Sequence, residues 1–146
     1  MYNKEEKDLL EEIPIGKVYS QKQIVIGTLI GGLLVAAYLL SANFKVFNER
    51  SKVGATWVIF VMVGILFSLS SLVPGLERLP NIVFIILGAV IVSAVFSMYQ
   101  SKKVQAHIEK DGQVQPTGKL VLVILVGVAI IVSISLTAFA LQDSIG

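Results

Sequence analysis

The sequence predicts an all-α polytopic membrane protein: an antiparallel four-transmembrane-helix bundle with a helical extension after the third span. Three observations carry that reading. Residues 24–42, 53–73, 81–99 and 120–141 are apolar stretches free of Asp, Glu, Lys, Arg and His. The charges are confined to the segments between them. The mean hydropathy is +0.81, and 146 residues enclose too little interior to hide four such blocks from water.

The N-terminal tail covers 1–22, and the transmembrane domain 23–142. Within the tail, Leu9, Leu10 and Ile13 are spaced to line one face of a short amphipathic helix, which Pro14 and Gly16 stop. The first stretch, 24–42, would reach about 28 Å as a helix, close to the ~30 Å hydrocarbon core. The other three are similar or longer. Backbone polar groups in lipid must pair within their own segment, so each stretch is expected to cross once as an unbroken helix. None alternates apolar with polar residues as a barrel strand would.

Residues 43–52 make a short first loop. Pro74 to Pro80 makes a tight second one, so spans 2 and 3 are expected to be antiparallel neighbours. The third connector, 100–119, is longer. Its first half is helix-compatible, with Val104 and Ile108 on one face, and Asp111-Gly112 ends it. Loops 1 and 3 fall on one side with Lys45, Arg50, Lys52, Lys102, Lys103, Lys110 and Lys119. The opposite side holds Lys4, Lys7, Lys17, Lys22 and Arg78. This modest excess favours loops 1 and 3 in the cytoplasm and both termini outside.

Small residues mark candidate helix-packing positions. Gly27 and Gly31 form a GxxxG next to Gly32, and Gly54, Gly64, Gly88 and Gly127 notch the other spans. Trp57 and Tyr99 suit the interfacial belt. Phe44, Lys45, Arg50, Lys52, Lys102 and Lys103 form a basic, aromatic face for lipid headgroups or a partner. His107, the only histidine, reads as a solvated or partner-contacting residue of the loop-3 helix. Hydroxyls at Ser68, Ser70, Ser71, Ser93, Ser97, Ser133, Ser135 and Thr137 suit bonds across helices or back to the i−4 carbonyl.

Several classes are disfavoured. With no cysteine there is no disulfide, no Cys-based metal site and no Cys nucleophile. A net charge of +2 gives no field for nucleic acid. No catalytic, cofactor-binding or metal-binding set is legible. The apolar stretches lack the ionisable residue that marks most ion and proton pathways. Secondary transporters commonly break helices at mid-membrane with Gly or Pro, and no proline lies inside any stretch.

Four runs carry a family resemblance: Ile13-Pro14-Ile15-Gly16-Lys17-Val18-Tyr19-Ser20; Gly27-Thr28 with Gly31-Gly32; Ala42-Asn43-Phe44-Lys45; and Ala106-His107-Ile108 followed by Gly112-Gln113. With them the chain resembles small multi-pass proteins of Bacteroidetes-type bacteria. The resemblance implies a bacterial inner-membrane location and no particular activity. Its pattern leads one to expect a Pro-containing stretch after the paired glycines, where this chain has Leu33-Leu34; a kink in span 1 is left open. Small multidrug carriers share the four-span length but need an acidic residue in the first span, and none is present. The expected function is a non-enzymatic accessory or scaffold subunit, in contact with the lipid bilayer and with other membrane subunits. The alternative is a small homo-oligomeric channel or carrier for a small solute.

Overall fold

The structure is a computed structural model that describes residues 14–70 and 73–145. Its α-helices are α1 (Gln21–Val46), α2 (Arg50–Leu69), α3 (Asn81–Tyr99), α4 (Ser101–Glu109) and α5 (Thr117–Ile145), with a 3-10 turn at Leu76–Arg78. Helices α1, α2, α3 and α5 are each long and apolar enough to cross a membrane. The all-α polytopic class and its four apolar stretches therefore stand as the sequence predicts. The tail helix expected around Leu9 to Ile13 lies outside the described residues.

Helix α1 starts three residues earlier than the apolar run because Ser20 caps it. The Ser20 side chain accepts from the Gln23 N–H, and the Gln23 side chain accepts from the Ser20 N–H. This capping box satisfies two end groups at once. Helix α5 begins directly after Pro116, which fits a first turn that lacks N–H partners in any case.

The interior of α1 departs from expectation. Gly32 has φ 72° and ψ −167°, a region essentially open to glycine alone. The chain reverses there. Tyr19 N–H donates to Asn43 Oδ1 at 2.7 Å, and Asn43 Nδ2 donates back to the Tyr19 carbonyl at 2.8 Å. On a straight helix this 24-residue separation would span about 36 Å. Gly16 also lies against Val46, and a Cβ on Gly27 would stand 2.6 Å from Leu39 Cδ1. So α1 is a hairpin with limbs 21–31 and 33–46, about 16 and 21 Å long. Each limb is short of the ~30 Å hydrocarbon core. The single unbroken crossing expected of this stretch is corrected: it enters, turns and returns.

The tip sits at mid-height. Gly32 faces Ile131, near the middle of α5, and Leu33 packs on Gly88 of α3. Residues 14–20, loop 1 and loop 3 consequently meet at one end of the molecule, the near end. Loop 2 and the end of α5 lie at the far end. The tail was expected opposite loops 1 and 3; residues 14–20 lie beside them instead.

The hairpin is the hub. It packs against α2, α3 and α5, which make no comparable contact with one another. Helices α2 and α3 run antiparallel as expected, with Phe67 and Phe84 rings 5.5 Å apart. Buried side chains cluster on the near half: Thr56 and Phe60 in α2, Val92 and Phe96 in α3, Leu120 and Ile124 in α5. Beyond Ile130 every described side chain of α5 is exposed. Of the glycines read as packing notches, Gly27, Gly31, Gly88 and Gly127 do meet neighbouring side chains. Gly54 and Gly64 face open space, because Gly54 lies on the exposed face of α2, away from the buried Thr56 and Phe60, and Gly64 lies beyond them; their packing role is corrected.

A hairpin and a crossing differ in a measurable way. Reporter fusions are expected to put the N-terminus and C-terminus on opposite sides of the membrane, with loop 3 sharing the N-terminal side. Four crossings would put both termini together. Gly32→Ala places a Cβ in a forbidden region, at about 1–3 kcal/mol. It is expected to lower thermal stability and to divide an N-terminal reporter between the two sides.

Candidate functional site: the hairpin and its polar clamp

The base of the hairpin is closed by side-chain amides. Asn43 lies in the last turn of the return limb, and its Nδ2 also donates to Gln100 Oε1 at 3.1 Å. Gln100 Nε2 donates to the Leu40 carbonyl at 2.8 Å. Gln100 stands at the joint between α3 and α4, where φ −122° ends one helix and starts the next. Asn43, Gln100 and Tyr19 are all buried. One amide pair thus ties the N-terminal strap, the hairpin and the α3–α4 corner into a single unit.

The strap is held from its other edge as well. Val18 N–H donates to Gln113 O at 3.0 Å, and Gln115 N–H donates to Val18 O at 2.8 Å. Gln23 Nε2 donates to Gln115 O at 2.7 Å. Burial, with Tyr38 nearby, pushes the Tyr19 phenol above its ordinary pKa. Its hydroxyl and that of Ser41 have no protein partner.

The expected headgroup face divides. Lys45, Arg50 and Lys102 are exposed, as is Tyr99. Phe44 is buried and anchors the return limb in the core rather than at headgroups, a correction that follows from the reversal. Lys52 Nζ lies 5.6 Å from the centroids of both the Phe44 and Tyr99 rings. Lys52 and Lys103 each reach Glu49 Oε1 at 2.7 Å, which docks α4 onto loop 1. Burial opposes the charge on Glu49, but hydrogen bonds from Lys103 and Lys52 outweigh it and hold the carboxyl below its ordinary pKa.

His107 is the other correction. It is 4% exposed, edge-on to Phe47 at 6.2 Å and packed against Gly112, where a side chain would collide with the ring. Neither ring nitrogen has a protein partner. The buried face of α4 runs through Val104 and His107, not Val104 and Ile108 as its spacing suggested. Helix α4 leaves the axis of α3 at Gln100 and folds onto the near end, and that bend selects the face.

Hydroxyls of α5 are satisfied locally, whereas Ser93 of α3 accepts from Gln21 Nε2 across helices at 3.3 Å. Ser133, Ser135 and Thr137 donate to the i−4 carbonyls of Ala129, Ile131 and Ser133. Among the described residues no three His, Asp or Glu converge as a metal site requires.

Fold and site together define a multi-pass helical membrane protein whose first apolar stretch folds into a half-depth hairpin, sealed at the near end by buried amides. No protein family, curated protein or solved structure matches the chain.

Asn43→Ala would leave the Tyr19 N–H and carbonyl and the Gln100 Oε1 buried without their Asn43 partner, at ~1–3 kcal/mol per group. Unfolding in detergent is expected to show a loss of at least about 2 kcal/mol. Asn43→Asp should not restore it, since a carboxylate cannot donate to Tyr19 O. Because the Glu49 carboxyl is lowered in the folded state, its stabilising effect is present at neutral pH. It is lost as pH falls through the lowered value. Spin labels at Asn48→Cys and Lys102→Cys are expected to separate only in acid, and Glu49→Gln to remove that pH dependence.

Proposed function

We propose that the chain is the subunit of a homo-oligomeric channel or carrier for a small solute, with the α1 hairpin as its plug. The observation that carries this reading is the reversal at Gly32 at mid-height. A helix end leaves N–H and C=O groups without partners in their own helix. Two such ends meet at this tip. In hydrocarbon that arrangement is tolerated only where the backbone is buried in protein or lines a water-filled cavity. Discontinuous helices of this kind form binding sites near the midplane of many transporters.

The one-sided core supports the same reading. The near half is closed by packed side chains and the amide clamp. Below the tip, α2, α3 and α5 continue without a central element, which suits a vestibule completed by a second copy. Ser133 and Thr137 sit one turn apart on the free half of α5.

Orientation belongs to the proposal too. With residues 14–20 returned to the near end, that end carries Lys17, Lys22, Lys45, Arg50, Lys52, Lys102, Lys103, Lys110 and Lys119. Among the described residues the far end carries Arg78 alone. By the positive-inside rule this excess supports a near end in the cytoplasm, and we place the chain in a bacterial inner membrane as part of the same proposal. Among the described residues this bias is larger than the modest excess read from the sequence.

A second reading, the accessory subunit, is favoured by the unpartnered half of α5, which suits the face of another protein. Reconstituted vesicles distinguish the two. A solute channel or carrier is expected to raise flux of small solutes above empty vesicles, with a change in rate on Gly32→Ala. No flux from a well-folded sample, with a stoichiometric protein co-purified from native membranes, would favour the accessory role.

A further inference from the structure

Between the return limb of α1, α2 and α5 the near half opens sideways into a groove of about 490 Å³. Its walls include Leu34, Tyr38, Trp57, Leu122, Val126 and Ile130. The polar atoms available in it are few, and the groove gives onto the hydrocarbon side of the bundle.

Each wall leads up to a cation. Lys119 precedes Leu122, Val126 and Ile130 by three, seven and eleven residues, which is one stripe of a helix. Arg50 precedes Trp57 by seven residues on α2, and Lys45 follows Tyr38 by seven on the return limb. Seven residues are two turns, about 10 Å along the axis. All three cations are exposed. Ion pairs among the described residues engage Lys52 and Lys103 with Glu49, not these three.

We propose that the groove, with Lys45, Arg50 and Lys119 at the near-end heads of its three walls, forms a binding site for an anionic phospholipid of the surrounding leaflet. One acyl chain fills the groove, and the phosphate lies among the three cations. Charge complementarity selects this occupant. A partner helix in the groove would leave the cations unanswered, and a soluble anion at the cations would leave the groove unfilled. An anionic lipid joins a charged head to an apolar chain at this separation. Tyr38 and Trp57, amphipathic side chains, stand between the two parts.

Trp57 is the only tryptophan of the chain, so its fluorescence reads the groove directly. The full-length protein is placed in phosphatidylcholine vesicles with rising fractions of brominated phosphatidylglycerol or brominated phosphatidylcholine. Half-maximal quenching is expected at a several-fold lower fraction of the anionic lipid. Arg50→Gln with Lys119→Gln should bring the two curves together, while Arg50→Lys with Lys119→Arg keeps them apart. Val126→Phe, which fills the groove, should reduce quenching by both lipids. Coincident curves for the unmodified protein, or a preference that survives the double Gln variant, would overturn the site. Loss of the preference on adding inorganic phosphate would assign the cations to a soluble anion and overturn it equally. None of these outcomes depends on solute flux, so the site stands or falls apart from the channel or carrier reading.

Discussion

Two hydrogen bonds between the Asn43 side chain and the Tyr19 backbone decide the architecture. They join residues that a straight helix would hold on opposite faces of a membrane. Once they form, α1 is a hairpin, the N-terminal strap lies beside loops 1 and 3, and the core belongs to one half of the molecule. Their strength comes from burial. A neutral amide pair exposed to water contributes little, whereas in a dry interior the same groups are costly to leave unpaired. Asn43 meets Tyr19 with both its donor and its acceptor, and Gln100 uses the donor again. The clamp is thus specific in a way that packed Leu and Val side chains cannot be.

The hairpin explains the uneven packing of the other helices. A membrane supplies no hydrophobic force between helices, so association rests on close fit and polar contact. Gly27, Gly31, Gly88 and Gly127 supply the close fit around the limbs. Where the hub ends, nothing draws α2, α3 and α5 together. Their lower halves remain apart, apart from the Phe67–Phe84 contact beside loop 2. The open half and the half-depth tip are consequences of one turn, and the proposed pathway uses both.

The same turn sorts the charges. Counted along the chain with four crossings, basic residues divide almost evenly between the two sides. Folding the first stretch back moves Lys17 and Lys22 to the side that already holds loops 1 and 3, and the near-balance disappears. Glu49 then has two lysines within reach, one from its own helix start and one from α4. That pairing leaves Lys45, Arg50 and Lys119 free above the groove.

By itself the sequence determined the membrane class, the apolar helices, the short α2–α3 turn and the helical character of loop 3's first half, read as an extension of the third span rather than as a helix set off at Gln100. Those features follow from hydropathy, span length and proline placement, which are local quantities. The Ser20-Gln21-Lys22-Gln23 capping signal was also there to be found. What tertiary structure alone decided is that the first apolar stretch returns. Hydropathy and length are the same for one crossing of 26 residues as for two limbs of half that depth. Gly31-Gly32 reads equally well as a packing notch or as a turn. The choice lies in contacts at long range, from Asn43 to Tyr19 and from Gln100 to Leu40, between residues that carry no pattern along the chain. The burial of His107 and Phe44 was hidden for the same reason: each depends on which elements the hairpin brings to the near end.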